Sequence, residues 1–198
     1  MDQLKKEQKN MKRSHQINLL ALILSVSIVV FVVAQNAQHQ DRGVAGQQAP
    51  SWSVSKWHQL PKNLKELNVE DYKGKVLYLY FFQSWCPGCH KTGFPNLKKL
   101  HEKFKDDKLV EFVAIQTTFE GHGINTDKKL EPIAKRYELP IPFGQSKGEN
   151  GTPDIMKKYR SGGTPWVVIV DKNGRVQFND YHIESGKAAS LIESLKKK

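Results

Sequence analysis

Cysteine is nearly absent from this chain of 198 residues: Cys86 and Cys89 are the only two, and both lie in one Cys-x-x-Cys. That scarcity excludes a scaffold stapled by several disulfides and a zinc site built on four sulfurs. Acidic residues are also short, 20 against 31 Lys and Arg, for a formal net charge of +11. The surplus is scattered, with clusters only at Lys5, Lys6, Lys9, Lys12 and Arg13 and at Lys196, Lys197 and Lys198. No nucleic-acid motif accompanies it, so it reads as solvated lysine-rich surface, with no nucleic-acid partner. Internal repeats are absent, and only one charge-free apolar run is long enough to approach the thickness of a membrane.

That stretch is Ile17 to Ala34, whose only polar side chains are Asn18, Ser25 and Ser27. At about 1.5 Å per residue it nearly spans a hydrocarbon core of roughly 30 Å. Basic residues precede it and none follows until Arg42. This pattern predicts a single-pass anchor over 17–34, a basic cytoplasmic segment over 1–16, and an exported remainder. A cleavable signal ending at Val32-Val33-Ala34 is the competing reading. Residues 35–48, rich in Gln, Asn, Ala and Gly, read as a tether, with the folded domain over 49–198.

Within that domain Trp52, Val54 and Trp57 suggest a first strand or hairpin. Val76 to Phe82 is an apolar and aromatic run of the kind that forms a strand buried on both faces. A helix follows the cysteines to about Phe104, with Pro95 expected to kink it. Leu109 to Thr117 reads as a second buried strand and Glu131 to Tyr137 as a helix. Thr152-Pro153-Asp154 reads as an N-cap, a first-position proline and a first-turn acid, opening a helix that ends near Tyr159. Trp166 to Val170, the turn Asp171-Lys172-Asn173-Gly174 and Arg175 to Tyr181 form an expected hairpin. Glu184 to Lys196 closes as an amphipathic helix. The order predicts an α/β fold with a mixed central sheet flanked by helices.

Cys86 stands where the strand ends and the helix begins. Free N–H groups and the positive helix end there stabilise a thiolate, which is the attacking form of sulfur. Cys89, one turn on, is placed to resolve a mixed disulfide. Other chemistries use this string too. Half a zinc site would need two more ligands, from His90, His101, His122 or His182 at unusual spacing. Cys86-Pro87-Gly88-Cys89-His90 also matches the attachment string of c-type haem, although Met156 is the only Met in the exported part. A purely structural bridge across so short a loop would constrain the unfolded chain little.

Trp85-Cys86-Pro87-Gly88-Cys89 together with Gly163-Thr164-Pro165 resembles the thioredoxin superfamily, and more narrowly the membrane-anchored TlpA/ResA-like thiol–disulfide oxidoreductases of bacteria. Ala49-Pro50, Lys73-Gly74-Lys75-Val76, Phe94-Pro95 and Val170-Asp171-Lys172-Asn173-Gly174 extend the likeness over most of the domain. The resemblance implies a thioredoxin-like fold, a redox disulfide Cys86–Cys89, and a cis Thr164–Pro165 bond facing it. Trp85, Pro87, Gly88, Thr164 and Pro165 would border the substrate. It further implies no cofactor, a protein thiol or disulfide as partner, and a reductase role at the bacterial cytoplasmic membrane, such as keeping haem-attachment cysteines of cytochromes reduced. A transmembrane thiol carrier would supply electrons. An oxidase, a redox sensor, a binding module without turnover and a haem-bearing electron carrier stay as alternatives.

The chain departs from that pattern at the proton-handling positions. Thr92 stands three residues after Cys89, where many relatives have an acid, and Tyr80 stands six before Cys86, where thioredoxins have a buried Asp. The stretch Cys89 to Pro95 is one residue longer than usual. Glu120, His122 and His90 are the candidates for proton transfer, the first two because they follow a strand at the sheet edge where sites gather.

Overall fold

The computed structural model describes residues 42–148 and 151–197. The expected span at 17–34 and the segment 1–16 lie outside these. Among the described residues no helix is long and apolar enough to cross a membrane.

Six strands of the described residues form one mixed sheet: β1 (Lys56–His58), β2 (Val76–Phe82), β3 (Val110–Thr118), β4 (Phe143–Lys147), β5 (Trp166–Val170) and β6 (Val176–Asp180). Their spatial order is β1-β4-β3-β2-β5-β6. β2, β3 and β4 run parallel, and β1, β5 and β6 are antiparallel to their neighbours. Among the described residues the α-helices are α1 (Phe94–Phe104), α2 (Leu130–Tyr137), α3 (Asp154–Lys158) and α4 (Ser185–Lys196).

β2 is buried at all seven positions and divides the core by the two-residue strand period. Val76, Tyr78, Tyr80 and Phe82 face Leu97, Leu100 and Phe104 of α1, Ile133 of α2 and Ile192 of α4. Leu77, Leu79 and Phe81 face Ile155 and Met156 of α3, together with Trp52, Tyr72 and Tyr159. Helices on both faces leave the C-terminal ends of the parallel strands as the open edge where a site can form.

The structure revises several expectations. Residues 42–48 do not form the end of a tether: Val44 is buried, Gly46 N–H donates to the Val176 carbonyl at 2.8 Å, and Gly43 N–H donates to Arg160. Pro95 does not kink a regular helix. It is the second residue of α1, directly after a π turn over Cys89–Gly93, so its missing N–H falls where the register already changes. Thr152 does not cap α3, whose N-cap is Pro153 with no side-chain cap bond. The expected hairpin does form, with Gly174 N–H on the Asp171 carbonyl and Asp171 N–H on the Arg175 carbonyl at 2.9 Å each. Asp171 Oδ1 accepts from the N–H of Asn173 and Arg175, and only Gly174 takes positive φ, at 79°. β4 was not foreseen, because Gly144, Gln145 and Ser146 carry no apolar signal.

Candidate active site

β2 delivers the chain to the open edge, and a short turn follows. Cys86 N–H donates to the Gln83 carbonyl at 3.2 Å, and the helix starts at the next residue. Cys89 N–H, one of the donors a helix start leaves free, points back at Cys86 Sγ at 3.2 Å. Both cysteines are free thiols. They differ in access: Cys86 is 7% exposed and Cys89 is 0% exposed.

The same asymmetry governs their ionisation. The Cys86 thiol is lowered from 9.0 to about 6, first by the hydrogen bond from the Cys89 thiol, then by the Cys89 N–H, with burial opposing. Thr164 and the nearby His90 ring lower it further. The Cys89 thiol is pushed far up, chiefly by burial and then by its bond to Cys86. One sulfur is thus ready to attack at neutral pH and the other holds its proton in reserve.

The substrate-side residues gather around Cys86. The Thr164–Pro165 bond is cis, and Cys86 Sγ lies 3.5 Å from the Thr164 carbonyl oxygen. Gly88 sits against Pro165: a Cβ there would lie 3.3 Å from Pro165 Cδ. Pro87 is exposed. Trp85 is 45% exposed, and its indole N–H donates to Gln83 Oε1 at 2.9 Å.

The proton-transfer candidates separate. His90 is half-buried and fixed at both ring nitrogens. Nε2–H donates to the Ser84 carbonyl at 2.7 Å, and Nδ1 is hydrogen-bonded to the Tyr137 hydroxyl at 2.7 Å. Its ring stacks on Tyr137 and lies near Phe94. Glu120 and His122 are exposed, and among the described residues no hydrogen bond joins either side chain to a cysteine. His122 instead borders a small cavity of about 190 Å³ with Lys56, Asn125 and Asp127.

Two groups carry no sequence motif yet shape the site. Asn125 is buried and uses its full hydrogen-bonding capacity. Its Oδ1 accepts from Ser84 N–H and Ser84 Oγ at 2.8 Å each, and its Nδ2 donates to Gln83 Oε1 at 2.5 Å and the Glu120 carbonyl at 2.9 Å. The loop after β3 is thereby tied to the turn that carries Trp85. Tyr80 is fully buried beneath the cysteines, and its hydroxyl donates to the Cys89 carbonyl at 3.3 Å. Ring pairs wedge the π turn in place: Tyr80–Phe94 at 5.1 Å, Phe82–Phe94 at 5.0 Å and Phe94–Tyr137 at 4.5 Å between centroids. Such pairs add about 0.5–1.5 kcal/mol each beyond burial.

Known proteins show the same organisation. The Redoxin family profile matches residues 44–194. The thiol–disulfide oxidoreductase ResA of Bacillus cereus is 27% identical over 158 residues, covering 80% of this chain and 82% of its own. The thioredoxin-like protein YneN of Bacillus subtilis is 27% identical over 168 residues, covering 83% of this chain and 86% of its own. Among solved structures, a thiol–disulfide isomerase from Corynebacterium glutamicum superposes with a TM-score of 0.65 at 29% identity, covering 76% of this chain and 97% of its own. With a two-cysteine helix start, a cis proline beside it and a profile match over most of its length, the chain belongs to the Redoxin family, as a TlpA/ResA-like oxidoreductase of the thioredoxin superfamily.

Proposed function

We propose that this oxidoreductase exchanges a Cys86–Cys89 disulfide with partner proteins, acting as a reductase on the outer side of the bacterial cytoplasmic membrane, anchored by residues 17–34. The observation that carries the exchange chemistry is the Cys89 N–H aimed at Cys86 Sγ at 3.2 Å, with Cys89 waiting behind it. Cys86 thiolate attacks one sulfur of a partner disulfide, forming a mixed disulfide and releasing the other sulfur as a thiolate. Cys89 then attacks Cys86 Sγ, the partner's second sulfur leaves, and two electrons have passed to the partner. An extended partner segment would lie along Thr164, with Trp85, Pro87, Gly88 and Pro165 around the reacting sulfurs. A transmembrane thiol carrier would return the electrons.

The reductase direction draws support from the Cys86 thiol at about 6. Thioredoxin's attacking cysteine titrates at about 7 and that of the strong oxidant DsbA at about 3.5. The more a thiolate is stabilised, the more the reduced form is favoured and the stronger the oxidant; Cys86 stands on the thioredoxin side. Reduction potential tests this. A value near thioredoxin's, about −270 mV, is expected, and one near about −120 mV would overturn the reductase reading.

The haem-carrier alternative fits the geometry poorly. Thioether attachment would need both sulfurs at a porphyrin edge, but Cys89 is fully buried, and His90 has both ring nitrogens engaged inside the fold.

A further inference from the structure

Resting on the exchange reading above, one problem stays open. Cys89 must lose its proton, or share it, in order to attack Cys86. Burial works against that ionisation, and no carboxylate is among the groups acting most strongly on the Cys89 thiol. Those groups are Cys86, the Gln83 backbone and Tyr80.

Tyr80 is placed for this task. It comes from β2 and is 0% exposed, directly below the π turn. Its hydroxyl reaches the Cys89 carbonyl at 3.3 Å, a long bond for O–H···O. That carbonyl already accepts the Phe94 N–H that closes the π turn. The phenol is therefore a weakly committed second donor beside the Cys89 side chain. Room for it comes from the turn's last residue: a Cβ on Gly93 would run into the Tyr80 hydroxyl. A one-residue insertion, a glycine and a tyrosine thus occur together at one spot.

We propose that the Tyr80 hydroxyl is the hydrogen-bond donor that holds the negative charge on Cys89 Sγ as it attacks the mixed disulfide. In that step the Cys89–Cys86 S–S bond forms, and the bond from Cys86 to the partner sulfur breaks. The partner sulfur leaves as a thiolate and ends with the proton that Cys89 gives up. Tyr80 keeps its own proton throughout, turning its O–H from the carbonyl to the sulfur. Burial raises the phenol's own pKa, which keeps it a donor. The other titratable groups near this pair are Cys86, His90, Tyr78 and Tyr137.

The test forms a mixed disulfide between Cys86 and a small aromatic thiol chromophore on the full chain and follows chromophore release. In Tyr80→Phe, release is expected to slow on the order of ten- to a hundredfold, the range for a hydrogen bond to a charged group. The initial modification of Cys86 should change little. Release as fast as in the parent overturns the proposal while leaving the exchange reading intact. A parent protein that forms the adduct but never releases the chromophore overturns the exchange reading itself. Alkylation of Cys89 at alkaline pH in a Cys86→Ser background separates donation from packing. Losing a donor slows it in Tyr80→Phe, whereas loosened packing relieves burial and speeds it; a faster or unchanged rate overturns the proposal. Should Tyr80→Phe fail to fold, fluorotyrosine at position 80, a stronger donor of nearly the same shape, should speed chromophore release, and an unchanged rate there also overturns it.

Discussion

At the scale of single residues, the two sulfurs pull stability in opposite directions as pH changes. Cys86 is lowered from 9.0 to about 6 in the folded protein by its bonds from Cys89. Between those values the unfolded chain holds a proton that the folded one has released, so stability of the reduced protein rises with pH there. The contribution is complete above the unfolded value and disappears as pH falls to about 6. Cys89 is raised by burial, so above 9.0 unfolding lets it ionise and stability falls. Urea midpoints of the reduced protein should therefore climb and then drop across that range. Cys86→Ser should abolish the climb and keep the drop; a climb that survives the substitution would show that other groups cause it. The sulfurs were legible in the sequence because exchange demands two thiols one helical turn apart, whereas Trp85 and Pro165 were legible only through the resemblance to thioredoxin-like proteins. Tyr80 was visible only as a missing Asp, and Asn125 not at all: a lone amide in a loop has no pattern, and its partners lie about 40 positions away.

At the scale of elements, the Asn125 side chain makes most of the bonds that tie the loop after β3 to the turn before Cys86. Asn125→Ala removes both bonds to Ser84 and leaves Gln83 Oε1 and the Glu120 carbonyl short of a donor. A loss of about 1–3 kcal/mol in unfolding free energy is expected, measured by denaturant titration, because buried polar groups lose their partner. Faster hydrogen exchange should be confined to the turn 83–85 and the loop 119–126, and an exchange change spread over the sheet would count against so local a role. β2, β5 and α4 were legible because each carries an unbroken apolar run or a helical stripe, and β3 because of its apolar centre Phe112–Ile115. β4 was not, since its Gln145 is buried among polar contacts that no local pattern announces: Gln145 Nε2 donates to Thr118 Oγ1 at 2.7 Å, and its Oε1 accepts from Gln116 Nε2 at 2.5 Å. The extra residue before Pro95 was legible as a length, but its form as a π turn was not. The turn lies against Tyr80, whose hydroxyl fills the space that a Cβ on Gly93 would need, a contact between elements that no local pattern records.

At the scale of the whole molecule, the charge-free run 17–34 and the basic segment before it make a claim about place. The full chain should sediment with membranes and resist extraction at alkaline pH, while a chain starting at Arg42 should be released; release of the full chain would remove the anchor. The mixed sheet itself was foreseeable from the order of strands and helices, because parallel neighbours need helical crossovers and the Asp171–Gly174 segment can only return antiparallel. What no reading of order supplies is depth, and depth decides how this molecule meets others. One sulfur lies at the rim and its neighbour beneath it, shielded by the fold. Every visitor must therefore bond to the rim sulfur first, and every departure is triggered from below. The burial gradient across a single helical turn works as a clockwork escapement, fixing the sequence of events whichever way the electrons run.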